Sequence, residues 1–107
     1  ENYVAPLSLE SKTHPSEFSI SQAYPNPFNP KTNFDLIVPK REKVKIFIMD
    51  ILGREVVTLK NSSINRGQYR LSWDGSDKFG KLVSSGTYFV IADFGKITEI
   101  QKILFLK

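Results

Sequence analysis

The stretch Thr32-Asn-Phe-Asp-Leu-Ile-Val-Pro-Lys-Arg-Glu-Lys-Val-Lys-Ile-Phe-Ile48 decides the fold class. Phe34, Leu36 and Val38 alternate with Asn33, Asp35 and Ile37, and then Val44, Ile46 and Ile48 alternate with Lys43, Lys45 and Phe47. A period of two sends successive side chains to opposite faces of an extended chain, so two strands are expected, joined across the turn-like Pro39-Lys-Arg-Glu42. Downstream, Ile48, Ile51, Leu52, Val56 and Leu59 also satisfy helical spacing. Gly53 inside that span and the β-branched run Glu55-Val-Val-Thr58 favour a turn followed by a strand.

The same reading extends to the C-terminus. An Asn/Ser/Gly-rich loop is expected over 61–67, then Tyr69, Leu71 and Trp73 alternate with Gln68, Arg70 and Ser72. The strand stops in Asp74-Gly-Ser-Asp-Lys-Phe-Gly80, whose glycines and side-chain acceptors are turn chemistry. A short edge at Leu82-Val83 precedes a strand over 87–94, and Gly95-Lys96 reads as the tip of a hairpin into a last strand over 97–106. The apolar set of that strand changes parity between Ile100 and Ile103, which implies a bulge or burial on both faces. Toward the N-terminus, Phe18-Ser-Ile20 can add a short strand. Tyr24-Pro-Asn-Pro-Phe-Asn-Pro30 carries three prolines that fix φ and remove amide donors, so it is a rigid irregular segment. About seven short strands without a helix indicate an all-β, antiparallel, immunoglobulin-like sandwich. No cysteine pair is present, so Trp73 must pack on aliphatic and aromatic neighbours.

At 107 residues, with 40% hydrophobic and 24% charged content, the composition fits one domain with one core. Residues 1–22, rich in Ser, Thr, Pro and charge, read as a linker from a preceding domain, and residues 23–107 as the folded unit. A start at Glu1 without an apolar leader suggests an excised or processed piece. The longest apolar runs are far too short to span a bilayer. The net charge of +4 is spread along the chain with a small cluster at Lys40, Arg41 and Lys43. No nucleic-acid motif accompanies it, so a solvated basic face is the better reading.

Taken in order, Tyr24-Pro25-Asn26-Pro27-Phe28, then Val44-Lys-Ile-Phe-Ile48 with Leu52-Gly53-Arg-Glu-Val56, then Gly67 to Trp73-Asp74-Gly75, then Gly80-Lys-Leu-Val-Ser-Ser-Gly86-Thr-Tyr88 and finally Lys102-Ile-Leu-Phe-Leu-Lys107 resemble the type A C-terminal sorting domain of the type IX secretion system. The chain is also similar to the immunoglobulin-like domain of the flagellar hook-capping family. The first resemblance implies a secreted or cell-surface protein that crosses the periplasm and outer membrane. It implies recognition by the secretion machinery through Gly86, Tyr88, Lys102 and Lys107, and removal by a sortase-like peptidase in the linker.

No catalytic constellation competes with that reading. His14, the only histidine, lies in the linker and has no structured partner for acid–base work. Asp74 and Asp77 lack the spacing of a calcium loop and read as turn acceptors. Asp50 and Glu55 read as solvated acids beside a turn, not a glycosidase pair. The alternation of Trp73, Tyr69 and Tyr88 turns them inward, away from sugar stacking. No cofactor, metal site or enzyme activity is expected, and a structural or carbohydrate- or protein-binding accessory module is the alternative.

Overall fold

The computed structural model describes residues 17–107. It contains seven strands: β1 (Ser19–Ile20), β2 (Thr32–Val38), β3 (Glu42–Asp50), β4 (Glu55–Ile64), β5 (Gly67–Trp73), β6 (Gly86–Asp93) and β7 (Thr98–Phe105). Among the described residues there is no helix. The strands form a three-stranded sheet in the order β1-β2-β5 and a four-stranded sheet in the order β4-β3-β6-β7, every pairing antiparallel. The result is an immunoglobulin-like sandwich whose chain changes sheet three times, at Pro39–Arg41, between β4 and β5, and between β5 and β6.

The alternation that predicts the strands also fills the core. Phe34, Leu36 and Val38 of β2 face Val44, Ile46 and Ile48 of β3, and Tyr88, Val90, Ala92, Ile103 and Phe105 complete the inner surface from β6 and β7. Each such side chain, fully buried, contributes about 1.5–3 kcal/mol before chain entropy offsets most of the sum. Trp73 is 2% exposed. In place of a disulfide it packs on Phe28, Phe105 and Tyr88, with ring centroids 5.4, 6.1 and 5.2 Å away.

The ambiguous span after Ile48 is a turn and a strand, and Asp50 is the reason. Its Oδ1 accepts the amides of Leu52 and Arg54, each at 2.9 Å, while its Oδ2 accepts Arg54 Nε at 2.9 Å. Gly53, at φ +84°, closes the turn by donating to the Asp50 carbonyl. A side chain that captures local amides, followed by a left-handed residue, leaves no continuing helix.

Three sequence expectations need correction. Residues 61–64 are not loop: β4 runs on to Ile64, with Asn61, Ser62 and Ser63 opposite Lys45, Val44 and Lys43. Leu82-Val83 makes no strand, only an isolated bridge from Leu82 to Ser76. The last strand carries no bulge, since β6 and β7 pair without a break from Gly86 opposite Phe105 to Asp93 opposite Thr98. The bulges lie instead between β3 and β4. The parity change in β7 arises because Glu99 and Gln101 take two inward positions at the edge of the sandwich.

Candidate recognition surface

The C-terminal hairpin is held by an element distant in sequence. β7 ends the four-stranded sheet, and its free edge carries outward amides and carbonyls that must find partners. The segment from Ile20 to Phe28 runs parallel to that edge and supplies them. Phe28 donates its amide to the Leu104 carbonyl at 3.0 Å and accepts the Leu106 amide at 3.1 Å. Asn26 bonds the strand with its side chain in both directions, Nδ2 to the Lys102 carbonyl at 3.2 Å and Oδ1 from the Leu104 amide at 3.0 Å. Further along, the Ile20 amide donates to Glu99 Oε1 at 3.0 Å, Gln101 Nε2 donates to the Ser21 carbonyl at 2.8 Å, and the Ala23 amide donates to Gln101 Oε1.

This arrangement gives the proline-rich stretch its role. Pro25 and Pro27 have no amide to satisfy, so the segment can leave and rejoin the edge at Asn26 and Phe28 without orphaned donors. Pro25 contributes its carbonyl to Thr32 Oγ1 at 2.7 Å, which satisfies the one buried hydroxyl at the start of β2. Phe28 stacks on Phe105 at 4.9 Å. Tyr24 bridges to Asn33 through backbone bonds while its ring is exposed.

The Trp73-Asp74-Gly75 turn caps the same end. Trp73 Nε1 donates to the Ser76 carbonyl at 2.8 Å, and Asp74 Oδ1 accepts the Ser76 amide at 3.1 Å and its hydroxyl at 2.5 Å. That hydroxyl, more than the amide, holds the Asp74 carboxyl below the usual range. Asp77 repeats the device on the Phe79 and Lys81 amides, and the Lys81 bond is the main cause of its lowered pKa. Both acids are thus turn acceptors, and among the described residues no three His, Cys, Asp or Glu side chains gather as a metal set. Gly75 sits at φ +82° with the Phe105 ring directly over its α-carbon; a Cβ built there would lie 2.6 Å from the ring.

The four residues implied in recognition sit at different depths. Lys102 and Lys107 are exposed, and the Lys107 amide donates to Ser85 Oγ at 2.8 Å. Tyr88 is buried: its ring meets Trp73 edge-on, its hydroxyl donates to the Ser84 carbonyl at 2.7 Å, and burial with the nearby Asp50 charge raises its pKa. Gly86 opens β6 opposite Phe105. Of the tyrosines considered for stacking, Tyr69 is half-buried against the core and bonds the Asn65 carbonyl at 2.6 Å. His14 lies outside the described residues. Sequence reasoning marks Asn26 only as part of a motif, because its partners are 76 and 78 residues away.

A family model described as "Secretion system C-terminal sorting domain" matches residues 22–106. No curated protein matches the chain. Among solved structures, dimeric latent PorU from Porphyromonas gingivalis superposes with a TM-score of 0.60 at 16% identity, over 84% of this chain and 9% of that one. PorZ from the same organism, a surface component of the type IX secretion system, gives 0.55 at 18% identity, over 92% and 12%. FlgD from P. aeruginosa gives 0.53 at 20% identity, over 83% and 72%. At these identities the likeness establishes the fold, and the chain spans about a tenth of the two Porphyromonas proteins.

Proposed function

Because the chain belongs to the secretion system C-terminal sorting domain family, acting as a sorting signal for type IX secretion, we propose that it carries a cargo domain joined ahead of residue 1 across the periplasm and outer membrane. The observation that supports this reading is the family match, which runs from Gln22 through every strand from β2 to β7. Residues 1–22 serve as the linker, its last residues entering the sandwich through β1 (Ser19–Ile20), and 23–107 as the sorting domain. A sortase-like peptidase of the secretion apparatus cuts in that linker. The domain itself performs no chemistry.

Within the sorting role, Lys102 and Lys107 are direct contacts and Gly86 and Tyr88 act by shaping the hairpin that presents them. A lysine head in water contributes little to stability, about ±0.5 kcal/mol on replacement, so the two roles separate cleanly. The test is a reporter bearing residues 1–107 at its C-terminus, expressed in a bacterium with this secretion system. Delivery of the reporter to the surface or medium is expected, and retention in the periplasm would overturn the reading. A Lys102→Ala, Lys107→Ala fusion should melt as the parent and lose delivery; normal delivery would remove the lysines from the recognition surface.

A further inference from the structure

Asp50-Ile-Leu-Gly-Arg54 and Asp77-Lys-Phe-Gly-Lys81 are one turn built twice. In each, Oδ1 of the aspartate accepts the amides two and four residues on, Leu52 and Arg54 at 2.9 Å each and Phe79 and Lys81 at 2.9 and 3.0 Å. The aspartate amide donates to the carbonyl of the fifth residue, at 2.9 Å for Asp50 and 2.8 Å for Asp77, and the glycine amide donates back to the aspartate carbonyl. Gly53 and Gly80 hold φ at +84° and +82°. The turns also leave the sandwich together, since the Lys78 amide donates at 3.1 Å to the carbonyl of Val56, two residues past Arg54.

This bonding needs the aspartate and the glycine, whereas the third and fifth residues are required only for their backbone groups. Their side chains are nevertheless of one kind in both turns. The third is apolar and stands in water, Leu52 at 71% and Phe79 at 77% exposure, and the fifth is a cation, Arg54 or Lys81. Ile51 and Leu82 beside them add two more exposed apolar side chains. Lys78 Nζ lies 5.5 Å from the Phe79 ring centroid, so a cation and a ring are presented as a unit. Single exposed apolar residues are ordinary, but four on two adjoining and internally braced turns mark an interaction site.

The acids at this end of the sandwich are all occupied. Asp50 and Asp77 bind the amides of their own turns, and Asp50 also takes Arg54 Nε at 2.9 Å. Asp74 holds the Ser76 amide and hydroxyl, and Glu55 holds Lys45 at 3.1 Å and the Thr58 hydroxyl. Lys78 and Lys81 are exposed and make no ion pair among the described residues. Acids and bases here are close in number, yet the charge left to a partner is positive and lies beside the apolar tips, which fits an anionic partner.

A partner protein or a second copy draws on about 800 Å² and about 20–30 residues from each side, and two five-residue turns supply far less. A lipid surface needs no complementary shape and buries each apolar side chain separately. Its phosphates stand just outside the acyl chains, the order in which each turn sets a cation beside an apolar tip. We infer that the paired turns over 50–54 and 77–81 seat the domain on a phospholipid surface, with Leu52 and Phe79 entering the acyl boundary and Lys78 and Lys81 meeting the headgroup phosphates. Such binding is a property of the turns alone and does not depend on the sorting function.

The chain of residues 1–107 should sediment with vesicles of phosphatidylethanolamine and phosphatidylglycerol, and about ten-fold more weakly with vesicles of phosphatidylcholine. Leu52→Ser with Phe79→Ser should keep the melting temperature, both side chains being mostly in water, and weaken vesicle binding by about ten-fold or more. Lys78→Gln with Lys81→Gln should erase the preference for anionic lipid. Ile97→Ser, beyond the end of β6 that lies farthest from these turns, should bind as the parent does. The chain has no cysteine, so Ile51→Cys can carry a single environment-sensitive dye, whose emission should shift to the blue on anionic vesicles. Absence of sedimentation, undiminished binding by the folded double serine variant, or a dye that stays in water would each refute the lipid surface. Self-association of the parent that the same serine changes abolish, without vesicle binding, would give the turns to a second copy instead.

Discussion

Replacing Gly75 with alanine should cost far more than the same change at Gly80, although both glycines lie at φ +82°. The left-handed conformation costs an alanine about 1–2 kcal/mol, and at Gly80 nothing lies within 4 Å of the added carbon, so Gly80→Ala should lose only that amount. At Gly75 the new Cβ would lie 2.6 and 2.9 Å from atoms of the Phe105 ring. The ring cannot swing clear, because it stacks on Phe28 at 4.9 Å and lies 6.1 Å from Trp73. Overpacking of this kind adds about 1–3 kcal/mol, so Gly75→Ala should lose about 2–5 kcal/mol in all. For a domain of this size each kcal/mol moves the melting temperature by about 4–8 °C, so the two variants should separate clearly in thermal or urea unfolding. Adding Phe105→Leu should make the double variant less damaged than the sum of its parts. Equal losses at Gly75 and Gly80, or strict additivity with Phe105→Leu, would refute the steric reasoning.

Other outcomes follow from the same geometry. Trp73→Ala should cost about 3–5 kcal/mol by denaturant unfolding, since three aromatic rings pack against its side chain. Asn26→Ala removes a donor and an acceptor from the β7 edge and should cost about 1–2 kcal/mol, with Asn26→Asp in between and faster amide exchange at Leu104 in both. Asp35, Asp50, Asp74, Asp77 and Glu55 all have lowered pKa values, through Arg70, the Arg54 amide, the Ser76 hydroxyl, the Lys81 amide and the Thr58 hydroxyl in turn. The folded state binds their protons more weakly than the unfolded chain does, so their stabilisation is complete above the ordinary carboxylate range and is lost as pH falls through the lowered folded values. The unfolding midpoint should therefore stay level near neutrality and drop in acid, and a flat profile down to the acid limit would contradict these contacts. Tyr88 titrates the other way: its raised value favours the folded state below the ordinary tyrosine range, a contribution lost as pH rises through the folded value.

What could be read from the chain beforehand divides along a physical line. The strands with one face in the core, β2 and β3, announce themselves because burial enforces a period of two. Asn61 to Ser63 do not, because an edge strand in water has no such constraint and its polar residues look like loop. The misread parity of β7 has the opposite cause: Ile100 and Leu104 face outward while Glu99 and Gln101 face inward, so hydrophobicity there does not report burial. Gly75 is recognisable as a turn glycine, but the ring above it belongs to Phe105 and no local pattern reveals the approach.

The parallel course of the Ile20–Phe28 segment along β7 also bears on how the domain answers a pulling force. A load arriving through Glu17 and resisted at Lys107 is directed along both segments in opposite senses, because the first enters at one end of the sandwich and β7 leaves at the other. The bonds from Ile20 to Glu99, from Asn26 to Lys102 and Leu104, and from Phe28 to Leu104 and Leu106 are then sheared together instead of being peeled one after another. A contact loaded in shear fails only when several bonds break at once. The motif that seals an open sheet edge thus also makes the domain a mechanical clamp, stiff against tension on the chain that precedes it.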